Sequence, residues 1–418
     1  MLLNHGLHLA YCTNVHPGED WAQTFDSLNR HTLAVKVKLG VTKPYAIGLR
    51  LSAQAARELA DPKKLLEFQK WLEKHDCYVF TLNGFPFGRF HGARVKERVY
   101  LPDWTDKQRL DYTKCLFDLL GQLVPAGVEG SVSTSPGSFK EFITTPEQER
   151  RIRDNLWDCV RHIASASKRT GRKLHVGVEP EPLGLFENTE ETVHFFERLR
   201  DEHPHDDRLE EYLGVNYDTC HFAAEHEQPE TALAQFRKHK IRLSKIHISN
   251  ALRLTPTPTA LAQLSGFQED VYLHQIIMRQ SDGSLIRFKD IDLALASRYA
   301  KSPDASSEWR VHFHIPLHTN PTGEFQTTAD HILGMLKLLQ SQPGLCSHLE
   351  METYTWSVLP QELKTQDVSD QLVAEYRWTL KHLADCELAQ GALSGHANSK
   401  SEAERLALKS SNTQTQSV

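Results

Sequence analysis

The sequence predicts a parallel (β/α)8 barrel, the TIM-barrel class of α/β fold, and three observations support this. Short apolar, β-branched runs recur along the 418 residues. Amphipathic stretches with apolar residues at three-to-four spacing separate the runs, so that strand and helix alternate about eight times. Polar residues close most of the runs, as expected where the carboxyl ends of barrel strands form a reaction site.

Nine runs have the character of strands, one more than a closed barrel needs. They lie at 7–14, 45–52, 77–84, 127–135, 173–181, 212–218, 243–250, 309–316 and 347–355. Either one of the last two is additional to the barrel or the first is peripheral, and the runs alone leave this open. The helical pattern is clearest at 55–75, 106–124 and 145–171. The last of these begins at Thr-Pro and ends at a glycine, which are ordinary helix start and stop signals.

The chain is predicted to form one barrel domain over residues 1–388. Residues 253–290 depart from the alternation of strand and helix runs. They indicate a loop followed by a hairpin across "QSDG", which we interpret as an insertion after the seventh strand. Residues 389–418 are polar and rich in serine, so a disordered tail or a weak helix is expected there.

Composition argues against several classes of partner. The net charge of −6 offers no basic field for a nucleic acid. No apolar run approaches the ~20 residues that a membrane span requires, and the first residues, "MLLNHGLHLAYCTN", make a poor signal peptide. The seven cysteines form no CxxC pair, which favours free thiols in a reducing compartment. We therefore expect a cytoplasmic protein without membrane insertion.

Potential metal ligands stand at the ends of consecutive strand runs. Side chains two positions apart on a strand face the same way. The pairs formed in this way are Glu179 with Glu181, Asn216 with Asp218, His247 with Ser249, His312 with His314, and Glu350 with Glu352. Converging buried carboxylates repel one another unless a cation lies between them, and Lys245 and Arg310 stand before the polar ends rather than among them. A mixed carboxylate and imidazole set favours one divalent transition metal, namely Zn, Mn, Fe or Co.

Each residue taken alone has a plainer interpretation. A glutamate at the end of a strand is usually a surface residue, "DTCH" can be an ordinary capped loop, and His247 can be a hydrogen-bonded core histidine. Four consecutive strands that end in this way favour a shared metal site over four unrelated polar residues.

Several segments resemble the xylose-isomerase-like barrels, over roughly residues 5–360. That superfamily includes sugar isomerases, inosose-type epimerases and dehydratases, and the type-four apurinic endonucleases. The segments that carry the resemblance to its strands five to eight are "VGVEPEPLGLFENTEET", "YLGVNYDTCHFAA", "SKIHISN" and "LEMETYTW". Three others, "YCTNVHPGEDW", "TLNGFPFGRFHGARVKERVYLPDW" and "HLEMETYTWSVLP", resemble the metabolite-traffic EboE family of the same superfamily. That family is encoded with genes for producing or moving a small metabolite toward the periplasm.

The resemblance implies a ligand set, carried over residue by residue. The implied ligands are Glu179, Asp218, His247 and Glu352, and His221 would stand behind them or bind a second metal. The segment "VHFHIPL" also resembles the eighth strand of the isomerases, so His314 competes with Glu352 for the last position.

Two departures from the family pattern narrow the implied chemistry. Glu181 stands where xylose isomerases carry a lysine, which argues against a hydride shift. The Asp-x-His of the endonucleases is approximated only by His274, which argues against their trinuclear set.

These residues suggest a metal-dependent isomerase or epimerase that acts on a small polyol or sugar-like metabolite. Glu179 and Glu352 would serve as both ligands and catalytic bases, and Glu181 and His221 are the other base candidates. The candidates for binding substrate are Asn14, His16, Asn83, His91, His274 and Trp356. Two alternatives are a non-catalytic metabolite-binding protein of an EboE-type export pathway, with other proteins of that pathway as partners, and a phosphodiesterase that acts at abasic DNA.

Overall fold

The computed structural model describes residues 1–92, 94–319, 323–365 and 367–390. The strands in these ranges are β1 (His8–Tyr11), β2 (Tyr45–Arg50), β3 (Cys77–Asn83), β4 (Gly130–Thr134), β5 (Leu174–Val178), β6 (Leu213–Asp218), β7 (Arg242–Ile248), β8 (Asn250–Leu254), β9 (Ile276–Arg279), β10 (Leu285–Phe288), β11 (Glu308–Ile315), β12 (Phe325–Thr327) and β13 (His348–Met351).

The α-helices in the same ranges are α1 (Trp21–Ser27), α2 (Leu33–Lys38), α3 (Ala53–Leu59), α4 (Pro62–Lys74), α5 (Lys107–Leu123), α6 (Pro146–Thr170), α7 (Thr189–Glu202), α8 (Arg208–Tyr212), α9 (Thr219–Ala224), α10 (Pro229–Lys238), α11 (Pro258–Leu264), α12 (Ile291–Ala296), α13 (Arg298–Lys301), α14 (Ala329–Ser341) and α15 (Val368–Asp385). The longest, α6, begins with a capping box between Thr145 and Gln148 and ends at Gly171 in the left-handed conformation, as its start and stop signals predict.

Eight parallel strands form the predicted barrel. Their order is β1-β13-β7-β6-β5-β4-β3-β2, and a parallel bridge between Cys12 and Gly48 joins the first strand to the second. The fold prediction is therefore confirmed. The eighth barrel strand is β13, so the run at 309–316 is the additional one among the nine.

The barrel strands have two different faces: one packs against the surrounding helices, and the other lines the polar interior of the barrel. On β7, Ile246 and Ile248 belong to the apolar layer between the strands and the surrounding helices. The alternate residues Lys245 and His247 are also fully buried, and they pair with carboxylates on β13 and at the end of β5. This alternation follows from the period of two along a strand. It places charged groups in the barrel interior, where they need partners.

A second, antiparallel sheet lies between β7 and β13 in the chain, with the order β10-β9-β11-β8-β12. The hairpin predicted within 253–290 is β9 and β10, and the sheet continues to Thr327. On β11, Trp309, Val311, Phe313 and Ile315 pack into a core that belongs to this sheet. Polar residues alternate with them, which is typical of a sheet with two different faces rather than of a parallel barrel strand.

Two further predictions concern the ends of the chain and the membrane. Of the predicted tail at 389–418, residues 391–418 lie outside the described residues. Among the helices that the structure describes, none combines the length and the apolar character needed to cross a bilayer.

Buried histidines away from the barrel mouth make stability depend on pH. Burial lowers the pKa to about 4 for each of His8, His175, His226 and His331. Between about pH 6.5 and pH 4 the unfolded chain binds protons that the folded chain excludes, so the free energy of unfolding falls as the pH falls through this window. We expect the urea midpoint to drop steadily between pH 7 and pH 4.

The variant His331→Gln should weaken this dependence by about 3 kcal/mol, because it removes a group whose pKa falls from 6.5 in the unfolded chain to about 4 in the folded protein. The variant His194→Gln, at an exposed position, is the control and should leave the dependence unchanged. Equal pH profiles for wild type and His331→Gln would contradict the prediction.

Candidate metal centre

The register of the barrel brings four potential ligands to the carboxyl ends of consecutive strands. Asp218 at the end of β6 lies opposite His247 on β7, and Glu179 and Glu352 follow directly after β5 and β13. All four side chains are buried, and each offers a ligand atom within 4.8 Å of the others. The structure thus brings together the four residues that the sequence suggested as ligands.

The distances around His247 fit a cation better than they fit hydrogen bonds alone. Its Nδ1 lies 2.9 Å from Glu179 Oε1, 3.1 Å from Glu352 Oε2 and 3.5 Å from Asp218 Oδ2. One ring N–H cannot satisfy three carboxylates, and Asp218 Oδ2 is buried without a hydrogen-bond partner. Ligands about 2.0–2.2 Å from a tetrahedral zinc lie roughly 3.3–3.6 Å from one another, so a small side-chain adjustment would accommodate such an ion.

The other oxygen of Asp218 fixes the orientation of this carboxylate. Oδ1 accepts hydrogen bonds from the backbone N–H groups of Cys220, at 2.7 Å, and His221, at 3.3 Å, and caps the N-terminus of α9. The Ser249 hydroxyl also donates to it. Oδ2 is therefore held toward the ligand set. This arrangement explains why a strand ends in Asp-x-x-His: the aspartate is at once the last residue of the strand and the cap of the next helix.

A buried ion pair supports His247 from behind. Glu350 Oε2 lies 2.9 Å from His247 Nε2 and accepts a 2.5 Å hydrogen bond from Lys245 Nζ. Although burial alone would raise it, the Lys245 ammonium lowers the pKa of Glu350 to about 2. The carboxylate fixes the ring so that Nδ1 faces the other acids, as ligand histidines generally require.

Two asparagines orient Glu352 from the opposite side. Asn14 Nδ2 and Asn83 Nδ2 donate to Glu352 Oε1 at 2.7 and 3.1 Å, which leaves Oε2 directed at His247. Asn14 also lines the cavity described below, whereas Asn83 does not. The structure therefore places Asn83 as a support for a candidate ligand rather than at the surface where a substrate would bind.

A second group of ligating side chains lies beside the first. His314 does not join Glu352 in the first set. Instead, it lies with His221 and His312, and ligand atoms of Glu181, Asp218 and Cys220 approach pairs of these histidines within 4.8 Å. His312 and His314 come from β11 of the inserted sheet, on the face opposite to its apolar residues.

A small cavity of about 50 Å³ adjoins both groups. Its lining includes five aromatic rings, Phe85, Phe90, Tyr100, Tyr272 and Tyr354, and at the polar end Asn14, Glu179, Glu181, His221, His312 and Glu352. Burial raises the pKa of Glu181 to about 7. The loop after β3 and the inserted segment both contribute residues to this lining.

Besides Asn83, four other residues predicted to bind substrate are not in the cavity lining. His16 is buried, lies 3.0 Å from the Tyr11 hydroxyl and stacks on a second histidine. His91 bridges the Asn14 carbonyl and the Tyr272 hydroxyl. His274 packs on Phe313 with its Nε2 2.9 Å from Glu269, and Trp356 packs between the two cores. These side chains therefore make packing and hydrogen-bond contacts outside the cavity lining.

Sequence reasoning missed the parts of the site that depend on the inserted sheet and on the buried ion pair. His312 has no adjoining acid in the sequence, although its spacing of two from His314 put both on one face. Glu350 shares a strand face with Glu352, and only the register with β7 reveals its contact with His247. Tyr100 ends a short 3-10 helix and Tyr272 lies in a loop, and neither segment carries a periodic signal.

Comparisons with known proteins are limited to remote structural likeness. No protein-family model matches the sequence, and no curated protein shows significant similarity to it. Among solved structures, an IOLI protein with a bound zinc atom is 12% identical, with a TM-score of 0.48, over 90% of this chain and 98% of that one. A D-tagatose 3-epimerase-like protein is 12% identical, with a TM-score of 0.47, over 90% and 97%.

A xylose isomerase domain protein from Alicyclobacillus acidocaldarius subsp. acidocaldarius is 15% identical, with a TM-score of 0.44, over 91% of this chain and 98% of that one. Likeness at this level carries no conclusion about activity. The barrel architecture rests on the strand order, and the site rests on the side-chain geometry.

Proposed function

We propose that this protein is a divalent-metal-dependent isomerase- or epimerase-like enzyme that acts on a small, uncharged polyol or sugar-like metabolite. One observation carries the proposal: four buried ligands converge at the carboxyl ends of β5, β6, β7 and β13, beside a covered cavity. Reactive residues of (β/α)8 enzymes stand at this end of the barrel. The ligand set is Glu179, Asp218, His247 and Glu352.

The residues that line the cavity suggest how a proton would move. A divalent metal in this set would act as a Lewis acid toward adjacent hydroxyl and carbonyl oxygens and acidify the hydrogen on the carbon between them. Glu181 lines the cavity without belonging to the four-ligand set, so its carboxylate is placed to take that proton and return it. Glu179 and Glu352 are alternative bases. The aromatic cover excludes water while the proton is held.

The charge of the lining favours an uncharged substrate. Lys96 is the one cationic side chain among the described residues that line the cavity. Its ammonium donates to Asp290 Oδ2 at 2.6 Å and to the Glu269 carbonyl at 2.7 Å. A phosphorylated sugar would bring negative charge toward three carboxylates with no free lysine or arginine in the described lining to balance it beside the metal. The aromatic rings instead suit the apolar faces of a ring or chain.

The variant Glu181→Gln tests the role of the base. We expect the wild-type protein, loaded with zinc or manganese, to exchange a carbon-bound hydrogen of its substrate for deuterium from heavy water. A panel of polyols, ketoses and inososes would be followed by proton NMR. Glu181→Gln should slow the exchange about 100-fold or more, since a positioned base typically contributes 10²–10⁴, and it should leave the metal content unchanged. Glu190→Gln, at an exposed position in α7, is the matched control.

The same experiment distinguishes the alternatives. Saturable binding of a panel compound without any exchange would favour the non-catalytic metabolite-binding protein. Exchange that survives Glu181→Gln would assign the base to another residue. A place in an EboE-type production and export pathway stays a prediction from the three sequence segments that resemble that family.

A further inference from the structure

Another cavity, here called the amino-end cavity, lies at the end of the barrel opposite to the candidate metal centre. Its volume is about 430 Å³, and its lining comes from the amino ends of β5 and β7, the residue before β4, the carboxyl end of α6, and α8. A parallel strand rises about 3.3 Å per residue, so His175 in this lining lies roughly 13 Å along β5 from Glu179. The two cavities are therefore separate sites.

The lining of the amino-end cavity is positively charged, although the whole chain carries a net charge of −6. Its charged residues in the described part of the chain are four cations, Lys168, Arg172, Lys173 and Arg242, and two acids, Glu129 and Glu211. Burial lowers the pKa of His175, which also lines the cavity, to about 4, so this ring is neutral near pH 7. The lining thus has two more positive than negative charges.

The acid Glu129 pairs with two of the four cations and leaves the other two without a counter-charge. Its Oε2 lies 3.3 Å from Arg242 Nη2, and its Oε1 lies 3.7 Å from Lys173 Nζ. Lys168 and Arg172 form no ion pair with either acid of the described lining. A ligand that balances these two charges has to be an anion.

Three polar atoms of the lining are buried without a hydrogen-bond partner among the described residues. They are Ser167 Oγ, Arg172 Nε and His175 Nε2. A guanidinium is always protonated in proteins, so Arg172 Nε is a donor that needs an acceptor. A serine hydroxyl can rotate to donate as well. Leaving buried donors unpaired is costly, and an acceptor supplied by a ligand would remove that cost.

The neighbours of His175 indicate that its free nitrogen is also a donor. The residue is 2% exposed, and its Nδ1 lies 2.6 Å from Ser244 Oγ. Its Nε2 lies 3.5 Å from Glu129 Oε2, which is longer than an ordinary hydrogen bond. A carboxylate only accepts, so its proximity favours the hydrogen on Nε2, with the Ser244 hydroxyl donating to Nδ1. Because Glu129 itself lines the cavity, Nε2 faces the cavity too.

We propose that the amino-end cavity binds a phosphate group, either free phosphate or that of a small phosphorylated metabolite. Lys168 and Arg172 would balance its charge, since a phosphate monoester at pH 7.5 is mostly a dianion with a second pKa of about 6. Ser167, Arg172 and His175 would donate hydrogen bonds to its oxygens. Small-molecule sites have volumes of about 300–1,000 Å³, so the cavity has room for the rest of a metabolite. This proposal goes beyond the proposed function and does not rest on it.

Isothermal titration calorimetry of the full-length protein with inorganic phosphate and with glucose 6-phosphate tests the site. The titrations would be run at pH 7.5 in about 0.15 M salt, which screens exposed charges. We expect one saturable site per chain. Arg172→Gln should weaken binding at least about 10-fold, because hydrogen bonds between charged groups are the strong ones. Ser167→Ala, which changes no charge, should weaken it about 3-fold or more.

Arg169→Gln is the matched control, because Arg169 lies at an exposed position of the same helix, outside the lining, and the variant loses the same charge. It should bind phosphate as the wild type does, and circular dichroism of each variant checks folding. Tighter binding of glucose 6-phosphate than of inorganic phosphate would identify the ligand as a phosphorylated metabolite. Equal binding of the two would support the proposal with free phosphate as the ligand.

Three results would overturn the proposal. The first is the absence of saturable binding of either probe to the wild type. The second is equal weakening in Arg169→Gln and Arg172→Gln, which would mean that exposed charge alone attracts the anion. The third is binding that Asp218→Asn loses and Arg172→Gln retains, which would place the phosphate at the metal centre. None of these results bears on whether Glu181 moves a proton, so the proposed function is tested separately.

Discussion

Asp218→Asn is expected to abolish metal binding and to lower any metal-dependent turnover at least about 100-fold, while the protein stays folded. The substitution removes the negative charge and turns Oδ2, the oxygen that faces both ligand groups, into an amide that cannot hold a cation. An asparagine retains the oxygen that accepts from Cys220 N–H and His221 N–H, and asparagine caps helices about as well as aspartate. Elemental analysis and thermal unfolding of the same preparation measure the two effects.

A matched control separates loss of charge from loss of the cap. Asp61 also caps a helix, α4, with its Oδ1 on two backbone N–H groups, and it lies at an exposed position. Asp61→Asn should leave both the metal content and the unfolding temperature close to those of wild type. Retention of wild-type metal content in Asp218→Asn would contradict the assignment of Asp218 as a ligand.

Gly48→Ala is expected to destabilise the protein by about 3 kcal/mol or more. A Cβ at this position of β2 would lie 2.0 Å from Glu350 Oε1 and 2.7 Å from the Tyr11 carbonyl oxygen. The backbone of β1 cannot withdraw without opening the barrel, and Glu350 cannot move without releasing Lys245 and His247. Overpacking in a tight core typically costs 1–3 kcal/mol, and the disturbed ion pair adds to that.

Urea unfolding measures this effect. Gly266→Ala provides the control, because nothing lies within 4 Å of the Cβ that it adds. We expect its midpoint to stay within the error of the wild-type value. A Gly48→Ala midpoint equal to that of wild type would show that β1, β2 and Glu350 are packed less closely than the structure describes. Reduced metal content in the folded fraction would link the strand packing to the site.

The barrel was predictable because its signals are local. Strand runs and helix runs differ in their hydrophobic period, and both can be recognised without knowledge of distant contacts. The same holds for helix caps such as Thr145 and for polar strand ends. The eighth strand was not predictable, because 309–316 and 347–355 are similar in length and both end in ligand residues. The two strands differ in their packing and pairing partners. Trp309 and Val311 pack into the core of the inserted sheet, whereas β13 pairs with β1 and β7.

Local signals identified the polar strand ends as candidate ligands, and the resemblance to the xylose-isomerase-like barrels selected four of them. The contacts that support these four residues could not be predicted. Glu179, Asp218, His247 and Glu352 are polar residues where a buried strand ends, so each is anomalous in its own segment. His312 joins His221 only because β11 of the inserted sheet lies over α9. Lys245 contacts Glu350 across two strands whose register no local pattern specifies. Tertiary placement decided the parts of the site that the sequence did not predict.

Bound metal in wild-type protein purified without chelator tests the central claim most directly. The account predicts at least one transition metal ion per chain by elemental analysis, and its loss in both Asp218→Asn and Glu179→Gln. No bound metal in the wild type, even after incubation with zinc or manganese, would contradict the account, because four buried ligands would then converge without the cation that their geometry requires.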